Sequence, residues 1–263
     1  MDDKGETMSE SFEIFNKWAV KNLSMDLEAY KEKQLQRRIL NMMSNHPVED
    51  LASYMKLMER NKEVRDELKK YLTINVTEFF RNPELFEALN QQVQKNLSPL
   101  FGPLKCWSAA CSNGSEPYSL AMMFEEKNVS LKQKILATDI DQDILKRAKE
   151  GFYFNSELKN VSKHQLTTFF DNEENGYRVN DHIKNKVRFK AHDLLLDKFD
   201  SDFHLIICRN VTIYFKPDAR DKLYQKFYDS LVPGGIFFTG ATETINQPEK
   251  FGFKKIDSFI YQK

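Results

Sequence analysis

Residues 104–116 read Leu104-Lys105-Cys106-Trp107-Ser108-Ala109-Ala110-Cys111-Ser112-Asn113-Gly114-Ser115-Glu116. An apolar run ends in small residues, one glycine and a carboxylate, and a helical stretch follows. This is the strand, turn and helix that open an α/β sheet. In such a sheet the ligand sits outside the carboxyl ends of the strands, where strand order reverses, so the loop after the first strand is the first place to look for chemistry. A dinucleotide site needs several glycines there so that backbone can approach a pyrophosphate, and Gly114 alone is too few. Glu116 is either a ligand for a cation or an acceptor of N–H groups at the first helical turn, and spacing alone leaves the two even.

Downstream the pattern alternates. Strand candidates are Leu104 to Ala109, Lys134 to Asp139, Val187 to His192, Phe203 to Cys208 and Gly235 to Gly240, with helical stretches after most of them. The spacing predicts a doubly wound, mainly parallel sheet. Phe251 to Tyr261 reads as a last pair of strands. Asn175-Gly176, flanked by Phe169-Phe170 and Tyr177-Arg178-Val179, is a hairpin signal and predicts a small antiparallel subdomain over about 168–190.

Upstream, residues from Ser9 to about Leu72 contain no glycine and carry helical periodicity. Leu35, Ile39 and Met42 fall at i, i+4 and i+7, one buried stripe. His46-Pro47 interrupts the pattern, and Pro47 suits the first turn of the helix carrying Leu51, Tyr54, Met55 and Met58. The expected organisation is a small all-α domain over residues 1–73 and an α/β domain over 74–263, with a helix after Asn82-Pro83 and a linker at 91–103 whose segment Ser98 to Pro103 is extended.

The 263 residues carry no formal net charge at pH 7, so the total does not call for nucleic acid or an anionic membrane. No run of eighteen apolar residues occurs, and Met1-Asp2-Asp3-Lys4 lacks the start of a signal peptide. Three cysteines fit a reducing compartment better than a disulfide framework. The expectation is a cytoplasmic protein without membrane insertion.

Four segments in fixed order carry the strongest signal: Asn75-Val76-Thr77-Glu78-Phe79-Phe80-Arg81, Cys111 to Ser119, Ala137-Thr138-Asp139-Ile140-Asp141 and Cys208-Arg209-Asn210-Val211-Thr212-Ile213-Tyr214-Phe215. Together they resemble the CheR-type glutamate methyltransferases of chemotaxis receptors, from about Asn75 to the C-terminus. The resemblance implies a Rossmann-like S-adenosylmethionine-dependent methyltransferase domain with a small antiparallel β-subdomain, after an all-α N-terminal domain. It implies S-adenosylmethionine as cofactor, S-adenosylhomocysteine as product and no metal. A cofactor without a phosphate suits the tight loop at Gly114.

Glu116 then pairs with the cofactor's ammonium, as the matching glutamate does in the family. Asp139, at a strand end, suits both ribose hydroxyls; its alternative is an N-cap, a job that Asp141 or Asp143 can take. By resemblance Arg81, whose fork presents paired donors, holds the cofactor's carboxylate or lies close to the transferred methyl, with Asn75 and Thr77 on the same wall. Asn210 and Val211 meet the cofactor near its sulfur and adenosine, and Tyr214 faces the substrate. Asp193-Leu194 stands where the family has asparagine before leucine against adenine; a carboxylate accepts from the adenine amino group but cannot donate to a ring nitrogen. Ser115 and Thr212 are two further departures. Arg209 is a site residue or the partner of a structural carboxylate, and the sequence leaves both open.

His204 and Cys208 share a strand face, but two ligands are too few for structural zinc, and core packing is preferred. A glutamate acceptor, with a pKa of roughly 4.3, is ionised at neutral pH and needs no general base. Lys33 with Arg37, and Lys31 with Arg38, form two basic ridges that the resemblance turns into a docking face for acidic receptor helices. Two rivals remain: an inactive member that binds the cofactor or a nucleotide as a sensor, and an RNA methyltransferase, which the neutral charge disfavours.

Overall fold

In a computed structural model the chain is described over residues 3–73 and 75–263, with side chains from Met8 onward. Met1 and Asp2, read above for a leader, and Ile74, at the expected domain boundary, lie outside the described residues. The chain divides into two compact units, Met1–Ile74 with Tyr214–Ala219, and Asn75–Ile213 with Arg220–Lys263.

The first unit is built on α1 (Asp3–Leu23), α2 (Glu32–Met43), α3 (Leu51–Arg60) and α4 (Lys62–Thr73). Leu35, Ile39 and Met42 are the buried stripe of α2, and Leu51, Tyr54 and Met58 that of α3. Helix α3 starts later than Pro47 suggests. Asp50 is its N-cap, accepting from the Ser53 N–H at 2.7 Å, so a side-chain cap rather than the proline ring sets the start. Asn61 ends α3 and caps α4 with its side-chain oxygen.

The basic ridges on α2 are only half as expected. Lys33 and Arg37 are exposed on the helix. Lys31 is its N-cap residue, with its own N–H donating to the Tyr214 carbonyl at 2.8 Å. Arg38 is half-buried, donates to the Tyr71 carbonyl and lies 4.4 Å from the centre of the Tyr71 ring. The planar guanidinium has found an internal aromatic and carbonyl partner, so the second ridge is not a free one.

The second unit opens with α5 (Pro83–Gln92), a five-residue π-helical segment (Val93–Leu97) and the short α6 (Ser98–Phe101). The expected extended linker is therefore helical through Phe101. Val93 and Leu97 continue the buried stripe of Leu85 and Leu89, the π turn keeps that stripe facing inward, and Pro99 is tolerated because it falls in a first turn.

The main sheet has seven strands, in the order β6-β2-β1-β7-β8-β10-β9. They are β1 (Cys106–Ala109), β2 (Ile135–Asp139), β6 (Val187–Ala191), β7 (Phe203–Cys208), β8 (Leu231–Thr239), β9 (Lys254–Asp257) and β10 (Ile260–Gln262). The first five are mutually parallel, and β10 and β9 run antiparallel at one edge. Strands β1, β2 and β7 are buried along their whole length, as apolar strands covered on both faces must be. Helices α7 (Ser115–Glu126), α8 (Gln142–Glu150) and α11 (Pro217–Ser230) follow β1, β2 and β7.

The antiparallel subdomain orders its strands β3-β5-β4: β3 (Phe152–Tyr153), β4 (Phe170–Glu173) and β5 (Gly176–Val179), with α9 (Lys163–Phe169) and α10 (Asp181–Lys184) beside them in sequence. The hairpin about Asn175-Gly176 is as expected, but the subdomain ends before Val187, which returns to the main sheet. It also recruits β3, two residues too short to show any periodicity.

Candidate cofactor site

Strand order reverses between β1 and β7, since β1 leads to β2 and β6 on one side and β7 to β8 on the other. That reversal places the loops after β1, β2 and β7 at one crevice. The loops after β1 and β7 are strained where they leave the sheet: Ala110, Ser112 and Asn210 hold φ of 61°, 49° and 61°, a conformation costing about 1 kcal/mol or more in a residue with a Cβ. Gly114 has φ of +90° and begins α7 so tightly that a Cβ would stand 3.1 Å from Ala148 of α8 and 3.2 Å from Phe189 of β6. The single glycine serves helix–strand packing.

Glu116 lies in the first turn of α7 and is buried. Its Oε1 accepts from the Ser108 hydroxyl at 2.8 Å, and its Oε2 lies 3.7 Å from Nη1 of Arg209. It is thus a buried carboxylate beside a buried cation and not an acceptor of first-turn N–H groups. Burial pushes its carboxyl up, opposed by Arg209, the Ser108 hydrogen bond and Arg81. Arg81 follows the buried Phe79-Phe80 pair and is held in part by a 3.0 Å bond to the Val76 carbonyl.

Asp139 ends β2. Its Oδ2 accepts from the Ser112 N–H at 2.8 Å and its Oδ1 from the Asp141 N–H at 3.0 Å. Asp141, not Asp139, caps α8, taking the N–H groups of Asp143 and Ile144. Each Asp139 oxygen keeps a further lone pair for a hydroxyl. Asn75 joins this cluster, donating to Asp141 Oδ2 at 2.8 Å and accepting from the Ser112 hydroxyl at 3.4 Å. It braces the loops, while Thr77 is half-buried two residues on.

After β6, Asp193 Oδ1 accepts from the Leu195 and Leu196 N–H groups and fixes the turn that buries Leu194. Asp193 Oδ2 is buried with no hydrogen-bond partner among the described residues, an acceptor in want of a donor. Lys226 reaches from α11 to the carbonyls of Leu194 and Asp197 and so ties this loop down. His192 is packed edge-on against Trp107, and burial pushes its imidazole pKa down.

After β7 the organising group is one that the motif reading missed. Glu243 is buried and gathers the loop. Its Oε2 accepts from the N–H groups of Asn210 and Gly240, and its Oε1 from those of Val211 and Thr212 and from the Thr212 hydroxyl. The Thr212 hydroxyl therefore adds a side-chain bond to the backbone ones. The available signal was Gly240-Ala241-Thr242-Glu243, a carboxylate just past the end of a parallel strand. Tyr214 belongs to the helical unit and lines a cleft of about 310 Å³ there with Tyr30, Lys31, Gln34 and Arg37. His204 accepts the Lys105 N–H at its Nδ1 and stacks on Phe101, a structural use. All three cysteines are free and buried.

Residues 75–260 match the S-adenosylmethionine-binding domain of CheR methyltransferases, and residues 10–73 match their all-α domain. The chain belongs to the CheR methyltransferase family. It is 37% identical over 257 residues to a chemotaxis protein methyltransferase of Listeria monocytogenes, covering 97% of this chain and 98% of that one. It is 32% identical to chemotaxis protein methyltransferase 1 of Pseudomonas aeruginosa, covering 89% and 90%, and 30% identical to the Escherichia coli chemotaxis protein methyltransferase, covering 85% and 80%. The chain is accordingly an S-adenosylmethionine-dependent methyltransferase with an all-α domain before its catalytic domain. The crevice suits that cofactor chemically: it holds two buried carboxylates, Glu116 and Asp139, for a ligand that carries an ammonium and a diol.

Proposed function

We propose that this protein methylates glutamate side-chain carboxylates on the cytoplasmic helices of bacterial chemoreceptors. Glutamyl methyl ester and S-adenosylhomocysteine are the products, and receptor adaptation is the consequence. When bound, the cofactor supplies an electrophilic methyl group on a sulfonium. Glu116 holds its ammonium, Asp139 its ribose, Asp193 and Leu194 its adenine, and Asn210 and Val211 the region of the sulfur. Arg81 takes its carboxylate or lies close to the methyl, with Asn75 and Thr77 on the same wall. Tyr214 meets the acceptor.

The observation that carries this reading is the kind of group at the crevice. It presents acids and guanidinia, and its histidine is buried against Trp107 and Phe199. Such a site aligns an already ionised nucleophile and excludes water, and has little means to deprotonate an amine. A carboxylate acceptor therefore predicts a single-turnover rate, at saturating cofactor and receptor, that is nearly flat from pH 6 to 8, since that range lies well above roughly 4.3. Labelled methyl transferred to receptor-containing membranes should be released by mild alkali. A rate rising almost tenfold per pH unit, or an alkali-stable product, would return the choice to another acceptor.

Three exposed cations of the helical unit are the proposed receptor contact, Lys33 and Arg37 on α2 and Lys31 at its start, with Arg38 supporting them from its place on Tyr71. The cleft beside them fits an acidic side chain. Reversing Lys33 and Arg37 to glutamate should raise the Michaelis constant for receptor and leave cofactor affinity unchanged. The effect should fade with added salt, as a Debye length of about 10 Å at 0.1 M implies. Unaltered methylation at low salt would move the docking face elsewhere.

A further inference from the structure

Arg209 is the most enclosed cation of the second unit, and its bonds are unevenly spent. Its side chain is 2% exposed. Nη2 donates at 2.9 Å to the Arg81 carbonyl and at 2.9 Å to the Asn82 side-chain oxygen. The guanidinium lies 5.5 Å and 5.0 Å from the ring centres of Phe86 and Phe238, which fix its plane. Nη1, in contrast, stays 3.7 Å from Glu116 Oε2, beyond a hydrogen bond. The turn it grips is strained on both sides of Arg81, with φ of 47° at Phe80 and 57° at Asn82.

A buried acid needs a nearby positive charge to stay ionised. A guanidinium that formed a bidentate pair with Glu116 would supply that charge but fill the acceptor sites on the carboxylate. Here the cation is anchored on the Arg81-Asn82 turn instead. We propose that Arg209 is a positioning residue, held by the Arg81-Asn82 turn so as to lend Glu116 a countercharge while leaving Glu116 Oε2 open to the ammonium of the cofactor. One side chain thereby sets the relation between the two groups assigned to the cofactor's amino-acid end, Arg81 and Glu116. The inference rests on the assignment of Glu116 to the ammonium.

The test is calorimetric titration of the full chain with S-adenosylhomocysteine between pH 6.5 and 8.5, beside a deaminated analogue that lacks the ammonium. Arg209→Met should weaken S-adenosylhomocysteine at least tenfold at pH 7. The loss should shrink as pH rises and Glu116 ionises without help, while the deaminated analogue shows no such slope. Arg209→Lys keeps the charge and loses the two Nη2 bonds; it should bind more weakly than the parent but with the parent's flat profile, and it carries the test should Arg209→Met fail to fold. A pH-independent loss in Arg209→Met, or a steep slope in Arg209→Lys, would overturn the proposal. Glu116→Gln separates the underlying assignment: if it binds S-adenosylhomocysteine as the parent does, Glu116 is not the ammonium's partner, whatever Arg209 does.

Discussion

Glu243→Gln is expected to be the most damaging single substitution in the α/β unit that preserves side-chain volume. Glu243 carries only acceptors toward five donors, four of them backbone N–H groups. An amide must turn its NH₂ toward one set or the other. In the better orientation it faces the N–H groups of Asn210 and Gly240, and both lose their partner. Two buried N–H groups left unpaired cost roughly 2–6 kcal/mol. The denaturant midpoint should fall accordingly, and affinity for S-adenosylhomocysteine should fall with it, because Asn210 can hold its left-handed backbone only while the loop is tied. Since the substitution leaves no cavity, an unchanged midpoint would show that the carboxylate does not organise the loop after β7.

The sheet was legible because its strands are apolar runs ending in polar punctuation, and because the run from Leu104 to Glu116 sets where the order reverses. Asp139 was legible for the same reason, a carboxylate at the end of an apolar strand, while Glu116, in the first turn of α7, stood even between a ligand and a helix-start acceptor on spacing alone. What escaped was work done across the fold: Glu243 altogether, and for Arg209, whose two readings were both left open, the turn that it holds. Glu243 acts on residues 31 to 33 positions earlier in the chain, and Arg209 on a turn 127 and 128 positions earlier. No local pattern reports such a bond. The linker failed differently. Ser98-Pro99 and Gly102-Pro103 read as breakers, but the buried apolar side chains of Val93 and Leu97 outweighed them, as tertiary packing commonly outweighs propensity. Arg38 failed in a third way, since helical spacing places a cation on a face without telling whether an aromatic neighbour such as Tyr71 has already taken it.

Cofactor affinity should depend on acidity through Asp139. Burial pushes its carboxyl up to about 6, against the lowering effect of the Asp141 and Ser112 N–H groups. The folded value lies above the unfolded one of roughly 3.9, so the cofactor-free native state holds this proton the more tightly. For this group alone, stability is fully present below about pH 4 and is lost as pH rises through about 6. Ligand binding should have the opposite dependence, since ribose hydroxyls donate best to the ionised form. Affinity for S-adenosylhomocysteine is therefore expected to be steady above pH 7 and to decline below about pH 6, toward tenfold per unit, with release of a proton on binding. Glu116, its carboxyl also pushed up by burial, should steepen the acid limb. Asp139→Ala should bind about 1.5 to 3 kcal/mol more weakly at pH 7.5, the loss of charge-assisted hydrogen bonds. Asp139→Asn should bind weakly too, with a shallower acid limb, because one of the two titrating carboxyls is gone. Calorimetry in two buffers of different ionisation enthalpy reads affinity and proton release together. An affinity for S-adenosylhomocysteine that is level from pH 5 to 7 in the parent protein would remove Asp139 from the ribose and leave it a brace between Ser112 and Asp141.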